Sequence, residues 1–209
     1  MDAEVFRAWI VSAAAAIEAN REHLTQLDAA IGDADHGINL SRGFTAVLGT
    51  LDSASTTPGA MLTLTGNTLI SKVGGASGPL YGVAFRRAGK ALGDAADVDL
   101  PALAAALEAA LAGVQQLGAA REGDKTMVDV LAAASRAFSK AVAGGAPQDQ
   151  ALACLAEAAE AGATATVSMQ ALKGRASYLG PRSVGHKDPG AASTALILAA
   201  LRGAAQGTP

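Results

Sequence analysis

Asp28, Asp33 and Asp35 crowd into one short loop of an otherwise alanine-rich chain, within a run that also carries Gly32, His36 and Gly37. Carboxylates held this close repel one another, and one is pushed toward protonation unless a cation neutralises the group. Hard oxygen ligands presented on a turn suit Mg²⁺ or Ca²⁺ far better than zinc or copper. The pattern points to a magnesium site, and magnesium held in a loop points in turn to phosphate beside it.

Three further segments concentrate glycine and polar residues: 74–79, 118–126 and 173–190. Gly74, Gly75 and Gly78 let an anion approach the backbone, Ser77 adds a hydroxyl, and a helix opening near Pro79 would aim free N–H groups at it. Asp188-Pro189-Gly190 opens a second helix, while Lys173 and Arg175 supply positive charge, arginine with a bidentate grip. Taken singly, these glycines also read as ordinary helix stops and Asp188 as an ordinary N-cap. His36 could contact phosphate, without itself being phosphorylated, or could cap the loop.

Sharper motifs fail. Residues 118–126 nearly spell a P-loop, but Asp124 interrupts the Gly-Lys pair and a helix precedes it. The Asp33-Ala34-Asp35 start of an EF-hand is not continued, since Gly37 and Ile38 occupy the wrong positions and Phe44 stands where the closing Glu belongs. Ser183, His186 and Asp188 lie too close together in the chain for a triad, and there is no nucleophile elbow.

The elements that must position these loops are helices. The 209 residues are half apolar but only 3% aromatic, with a mean hydropathy of +0.27. That describes an all-α core of Ala, Leu and Val, and alanine has the highest helix propensity. One domain spanning 1–209 is expected. Periodicity predicts a first helix through Phe6, Ile10, Ala14, Ile17 and Leu24 running directly to Asp28. Further helices are predicted at 40–51, from Pro58 through Leu69, at 80–92, 100–117, 125–142, 148–171 (the longest) and 190–202. In an up-and-down array of about eight helices, alternate turns share an end. The four polar loops are those alternate turns, so they should build one composite site.

A net charge of −3 gives no basic patch for nucleic acid or an anionic membrane. Cys154 can form no internal disulfide and is expected as a small buried hydrophobe. The N-terminus lacks a signal-peptide pattern, and no long continuous apolar run suggests a membrane span. A soluble cytoplasmic protein is the expectation.

Residues 32–39 (GDADHGIN), 73–80 (VGGASGPL), 123–127 (GDKTM), 173–180 (KGRASYLG) and 183–191 (SVGHKDPGA) together resemble the nucleotide-binding L subunit of dihydroxyacetone kinase. The likeness runs in order over nearly the whole chain. It implies an antiparallel barrel of eight amphipathic helices with ADP and two Mg²⁺ at one end. It further implies that Asp28, Asp33 and Asp35 hold the magnesium. The positions matching its ADP contacts are His36, Gly37, Ile38, Asn39, Ala76, Ser77, Gly118, Met127, Arg175, Asp188, Pro189 and Gly190.

In the phosphotransferase-linked form of that family, ADP stays bound and accepts a phosphoryl group from a phosphohistidine of the M subunit, becoming ATP. That ATP phosphorylates dihydroxyacetone held covalently on a histidine of the K subunit, so no side chain of the L subunit need be a catalytic nucleophile. The chain carries the L module without a K-type domain, which fits this arrangement. The alternatives are a subunit of a two-chain ATP-dependent ketose kinase and a non-catalytic regulatory nucleotide-binding module.

Overall fold

The computed structural model describes residues 1–51 and 57–207. Among the described residues the α-helices are α1 (Ala3–Ala19), α2 (Arg21–Ile31), α3 (His36–Leu51), α4 (Pro58–Lys72) and α5 (Ser77–Leu92). They continue with α6 (Leu100–Gly118), α7 (Met127–Ala143), α8 (Gln148–Ala165) and α9 (Pro189–Ala205). No strand occurs among these residues, so the fold is all-α.

From α3 onward each helix packs against the next in the chain, and α1 packs against both α3 and α9. The order of contacts therefore closes on itself. A small aromatic cluster anchors the interior: Trp9 lies 5.8 Å from both Phe6 and Phe85, and Phe44 lies 6.4 Å from Phe85. Each such ring buried contributes roughly 1.5–3 kcal/mol. Trp9 also donates its indole N–H to the Ile197 carbonyl at 2.8 Å, tying α1 to α9. Elsewhere small residues set the spacing. A Cβ on Gly89 would sit 2.4 Å from the Gly59 oxygen, so α4 and α5 meet backbone to backbone.

The first helix is not continuous. Asn20 leaves helical geometry and donates its side-chain amide to the Ala16 carbonyl at 2.8 Å, a local competitor to helix propagation. The helix restarts as α2, which delivers Asp28. The stretch expected as the longest helix stops at Ala165, where Thr166 turns its hydroxyl back onto the Ala163 carbonyl at 2.6 Å and a 3₁₀ turn follows over Thr166–Ser168. The polar segment after it holds a second 3₁₀ stretch, Arg175–Ser183, kinked at Gly180. Cys154 is half-buried on α8 rather than enclosed. By length and composition α6 alone among the described helices could span a membrane, but its Leu103, Leu107, Ala110 and Val114 are buried in the core.

Candidate functional site

All four polar loops meet at one cleft of about 420 Å³. Its lining includes Asp28, Asp33 and Asp35 from the first loop, Gly74 to Ser77 from the second, Gly118 and Lys125 from the third, and Lys173, Arg175 and Asp188 from the fourth. The four alternate turns thus line a single site.

One wall is acidic. Ligand atoms of Asp28, Asp33 and Asp35 all lie within 4.8 Å of one another. Asp28, at the end of α2, is buried, and its Oδ2 accepts the backbone N–H groups of Asp35 at 2.8 Å and His36 at 3.1 Å. The carboxylate therefore folds the loop around itself and caps the start of α3. A side chain on Gly32 would meet Asp28 Oδ1 at 2.0 Å, so this glycine is the space the carboxylate occupies. Asp33 and Asp35 are more open, and Asp33 Oδ2 pairs with Arg175 Nε at 2.9 Å. One pinned and two accessible carboxylates on a turn suit a hard, oxygen-seeking divalent cation.

The opposite walls favour an anion. Helix α5 starts at Ser77, and its N-cap, Ala76, makes no side-chain cap, which leaves first-turn amides free for a ligand. Arg175 and half-buried Lys173 add positive charge. Helix α9 opens at Pro189 with Asp188 as N-cap, its Oδ2 accepting the Ala191 N–H at 2.7 Å. Burial pushes the Asp188 carboxyl up to about 7, against the pull of the Ala191 bond and of Lys125. Beside these groups Leu80, Val114, Leu117 and Met127 form an apolar flank.

Between the walls runs a chain of hydroxyls. His36 Nε2 lies 2.8 Å from Ser193 Oγ, and its Nδ1 lies 3.1 Å from Ser77 Oγ. Ser193 Oγ also reaches the Pro189 carbonyl at 2.9 Å, so the imidazole is held between two hydroxyls, one of which is itself anchored to α9. Burial holds this imidazole below its ordinary pKa despite the nearby Asp28 and Asp35. Both ring nitrogens are spent on hydroxyls, so His36 serves the loop's framework and its ring bonds the second loop and α9. Tyr81 extends the chain, with its hydroxyl 2.6 Å from Ser193 Oγ, 2.8 Å from Thr194 Oγ1 and 3.0 Å from the Gly190 oxygen.

Of the residues expected here, His36, Ala76, Ser77, Gly118, Met127, Arg175, Asp188, Pro189 and Gly190 line the cleft with the three aspartates. Gly37, Ile38 and Asn39 do not. A side chain on Gly37 would strike the Arg21 oxygen at 2.1 Å, which makes this glycine a contact between α3 and α2. Ile38 is exposed, and Asn39 lies behind the second loop, accepting from Arg42 at 2.7 Å. Sequence reasoning passed over Gly32, Tyr81, Lys125 and Thr126, all of which line the cleft. The only signal for Lys125 and Thr126 was their place in the Gly-Asp-Lys-Thr-Met run.

The family model described as DAK2 domain matches residues 30–203. The chain is 41% identical over 199 residues to the ADP-binding subunit DhaL of the PEP-dependent dihydroxyacetone kinase of Escherichia coli, covering 95% of each. It is 38% identical over 195 residues to the triokinase/FMN cyclase of Bos taurus, covering 92% of this chain but 33% of that one. The crystal structure of the dihydroxyacetone kinase from C. freundii in complex with AMP-PNP and Mg²⁺ superposes with a TM-score of 0.70 at 30% identity. That match covers 93% of this chain and 33% of the other, so the chain spans about a third of that kinase's length. With its fold, its loop order and its identity to whole DhaL subunits in agreement, the chain belongs to the DAK2 domain family of dihydroxyacetone kinase subunits.

Proposed function

We propose that the chain is the ADP/ATP-binding phosphotransfer subunit of a dihydroxyacetone kinase, a single module over 1–209 that works in the cytoplasm. Its partners are a dihydroxyacetone-binding K subunit and an M subunit that donates from phosphohistidine. The observation that carries this reading is the convergence of three carboxylates, an uncapped helix N-terminus and an apolar flank on one cleft. Those are the separate needs of metal, phosphate and base.

Asp28, Asp33 and Asp35 would hold the two Mg²⁺, and Arg175, Lys173 and the first-turn amides of α5 would take the remaining phosphate charge. When bound, magnesium nucleotide supplies the carried phosphoryl group with its charge neutralised. What the chain itself supplies is position and fixed charge. His36 keeps the loop and α9 in register, Asp28 shapes the metal wall, and the apolar flank excludes water from the base. No protein nucleophile is needed.

The test combines the chain with K subunit, phosphorylated M subunit and dihydroxyacetone. Formation of dihydroxyacetone phosphate without free ATP supports the proposal. Formation only with free ATP assigns the chain to a two-chain ATP-dependent kinase. Tight ADP binding with no product in either case makes it a regulatory module.

A further inference from the structure

Lys125 is among the most enclosed side chains of the protein, 1% exposed, although it carries an ammonium group. Among the described residues no carboxylate lies within ion-pair distance of it. Its Nζ instead donates to two backbone carbonyls, Thr166 at 2.6 Å and His186. Its backbone sits at φ +60°, a conformation that costs a non-glycine residue and persists only where the surroundings demand it. An enclosed charge held by two carbonyl dipoles, in a strained turn, needs a structural consequence worth that cost.

That consequence lies in what the carbonyls belong to. Thr166 uses its hydroxyl to accept the N–H of Asp188 at 3.0 Å, and His186 stands just before Asp188 in the chain. The Val167 carbonyl accepts the N–H of Gly185 at 2.8 Å. On its other side Lys125 adjoins Thr126, the N-cap of α7, whose capping box with Asp129 fixes that helix start. One residue therefore joins three elements: its side chain bonds the end of α8 and the approach to α9, and its backbone leads straight into the cap of α7. We propose that Lys125 is a positioning residue that sets the Asp188–Gly190 wall of the nucleotide site against the Met127 wall.

This inference rests on the nucleotide reading above. The metal wall is independent of Lys125, since Asp28 is fixed by the Asp35 and His36 amides. Burial pulls the Lys125 ammonium below its usual pKa, with Asp188 opposing, so the two carbonyls are what offsets the cost of enclosing its charge.

The test uses the full chain with Cys154→Ala as background. Lys125→Met keeps the length and removes the charge. Lys125→Cys is alkylated in denaturant and refolded, either aminoethylated to restore an ammonium or carbamidomethylated as a neutral control. Calorimetry with ADP and Mg²⁺ and amide hydrogen exchange are measured on each. Outer partners that orient metal ligands typically cost 10–100-fold when lost; taking the low end for a nucleotide wall, Lys125→Met should weaken ADP binding about tenfold. Amides of 185–192 should exchange faster while those of 35–41 do not, and aminoethylation alone should restore both properties.

Unchanged ADP affinity, equal acceleration in both segments, or no difference between the two alkylated forms overturns the proposal. If Lys125→Met does not fold, Lys125→Gln decides: its neutral amide can still donate toward the two carbonyls, and it should loosen 185–192 selectively; failure to do so refutes the coupling. Should the background chain bind no ADP, the nucleotide reading fails, while the exchange pattern still decides what Lys125 holds.

Discussion

Asp28 differs from its two neighbours in a way that can be measured without any ligand. Its carboxylate accepts two amides from inside a buried loop, and hydrogen bonds to a charged acceptor contribute about 1.5–3 kcal/mol each. Asp28→Ala leaves both amides unpaired, so the loss should be about 3 kcal/mol or somewhat more. At roughly 2–4 °C per kcal/mol for a domain of this size, melting should fall by roughly 6–12 °C. Asp33 has only the pair with Arg175, whose side chains are 38% and 68% exposed. Solvent-screened pairs of that kind are worth about 0–1 kcal/mol, so Asp33→Ala should melt close to wild type. Asp28→Asn keeps an acceptor and loses the charge, and should fall between them. Thermal unfolding by circular dichroism in EDTA reads the stability, and calorimetry with ADP and Mg²⁺ reads binding. All three variants should lose Mg²⁺-dependent ADP binding while only Asp28→Ala loses substantial stability. Equal melting of Asp28→Ala and Asp33→Ala would refute the claim that Asp28 shapes the loop it serves.

Other expectations follow from the same contacts. Gly32→Ala places a Cβ 2.0 Å from Asp28 Oδ1 and should displace the carboxylate, weakening Mg²⁺-dependent ADP retention with helix content unchanged by circular dichroism. Asp188 has its folded pKa raised from 3.8 to about 7, so its contribution to stability is present at low pH and is lost as pH rises through that window. Asp188→Asn, which keeps the N-cap, should gain stability relative to wild type between pH 4 and about 7; a constant difference in melting temperature across that range would contradict the shift. Tyr81→Phe removes a hydroxyl bonded to Gly190, Ser193 and Thr194 and should cost about 1–2 kcal/mol in chemical denaturation.

The site was legible in the sequence wherever composition and topology sufficed. Alanine-rich amphipathic segments fixed the helices, and counting turns placed the four polar loops at one end. The three aspartates declared themselves by charge density. What periodicity could not show depends on individual side-chain bonds, some local and some distant. The break at Asn20 comes from a side chain that bonds its own helix. The early end of α8 at Ala165 comes from Thr166, whose hydroxyl serves both the Ala163 carbonyl and the Asp188 amide. Lys125 enters the sequence reading only through an interrupted P-loop pattern, and its role needs the carbonyls of residues 166 and 186 around it. Gly37 and Asn39 sit inside the most recognisable motif yet face neighbouring helices and loops rather than the cleft, because a motif conveys adjacency in the chain and not direction.

The most direct test of the central claim is ADP binding to the purified chain by equilibrium dialysis, with Mg²⁺ and with EDTA, for wild type and Asp33→Ala. The four-loop site predicts stoichiometric ADP on the wild type with Mg²⁺, its loss in EDTA, and no retention by the variant under either condition. Binding that ignores Mg²⁺, or that survives Asp33→Ala unchanged, would contradict it.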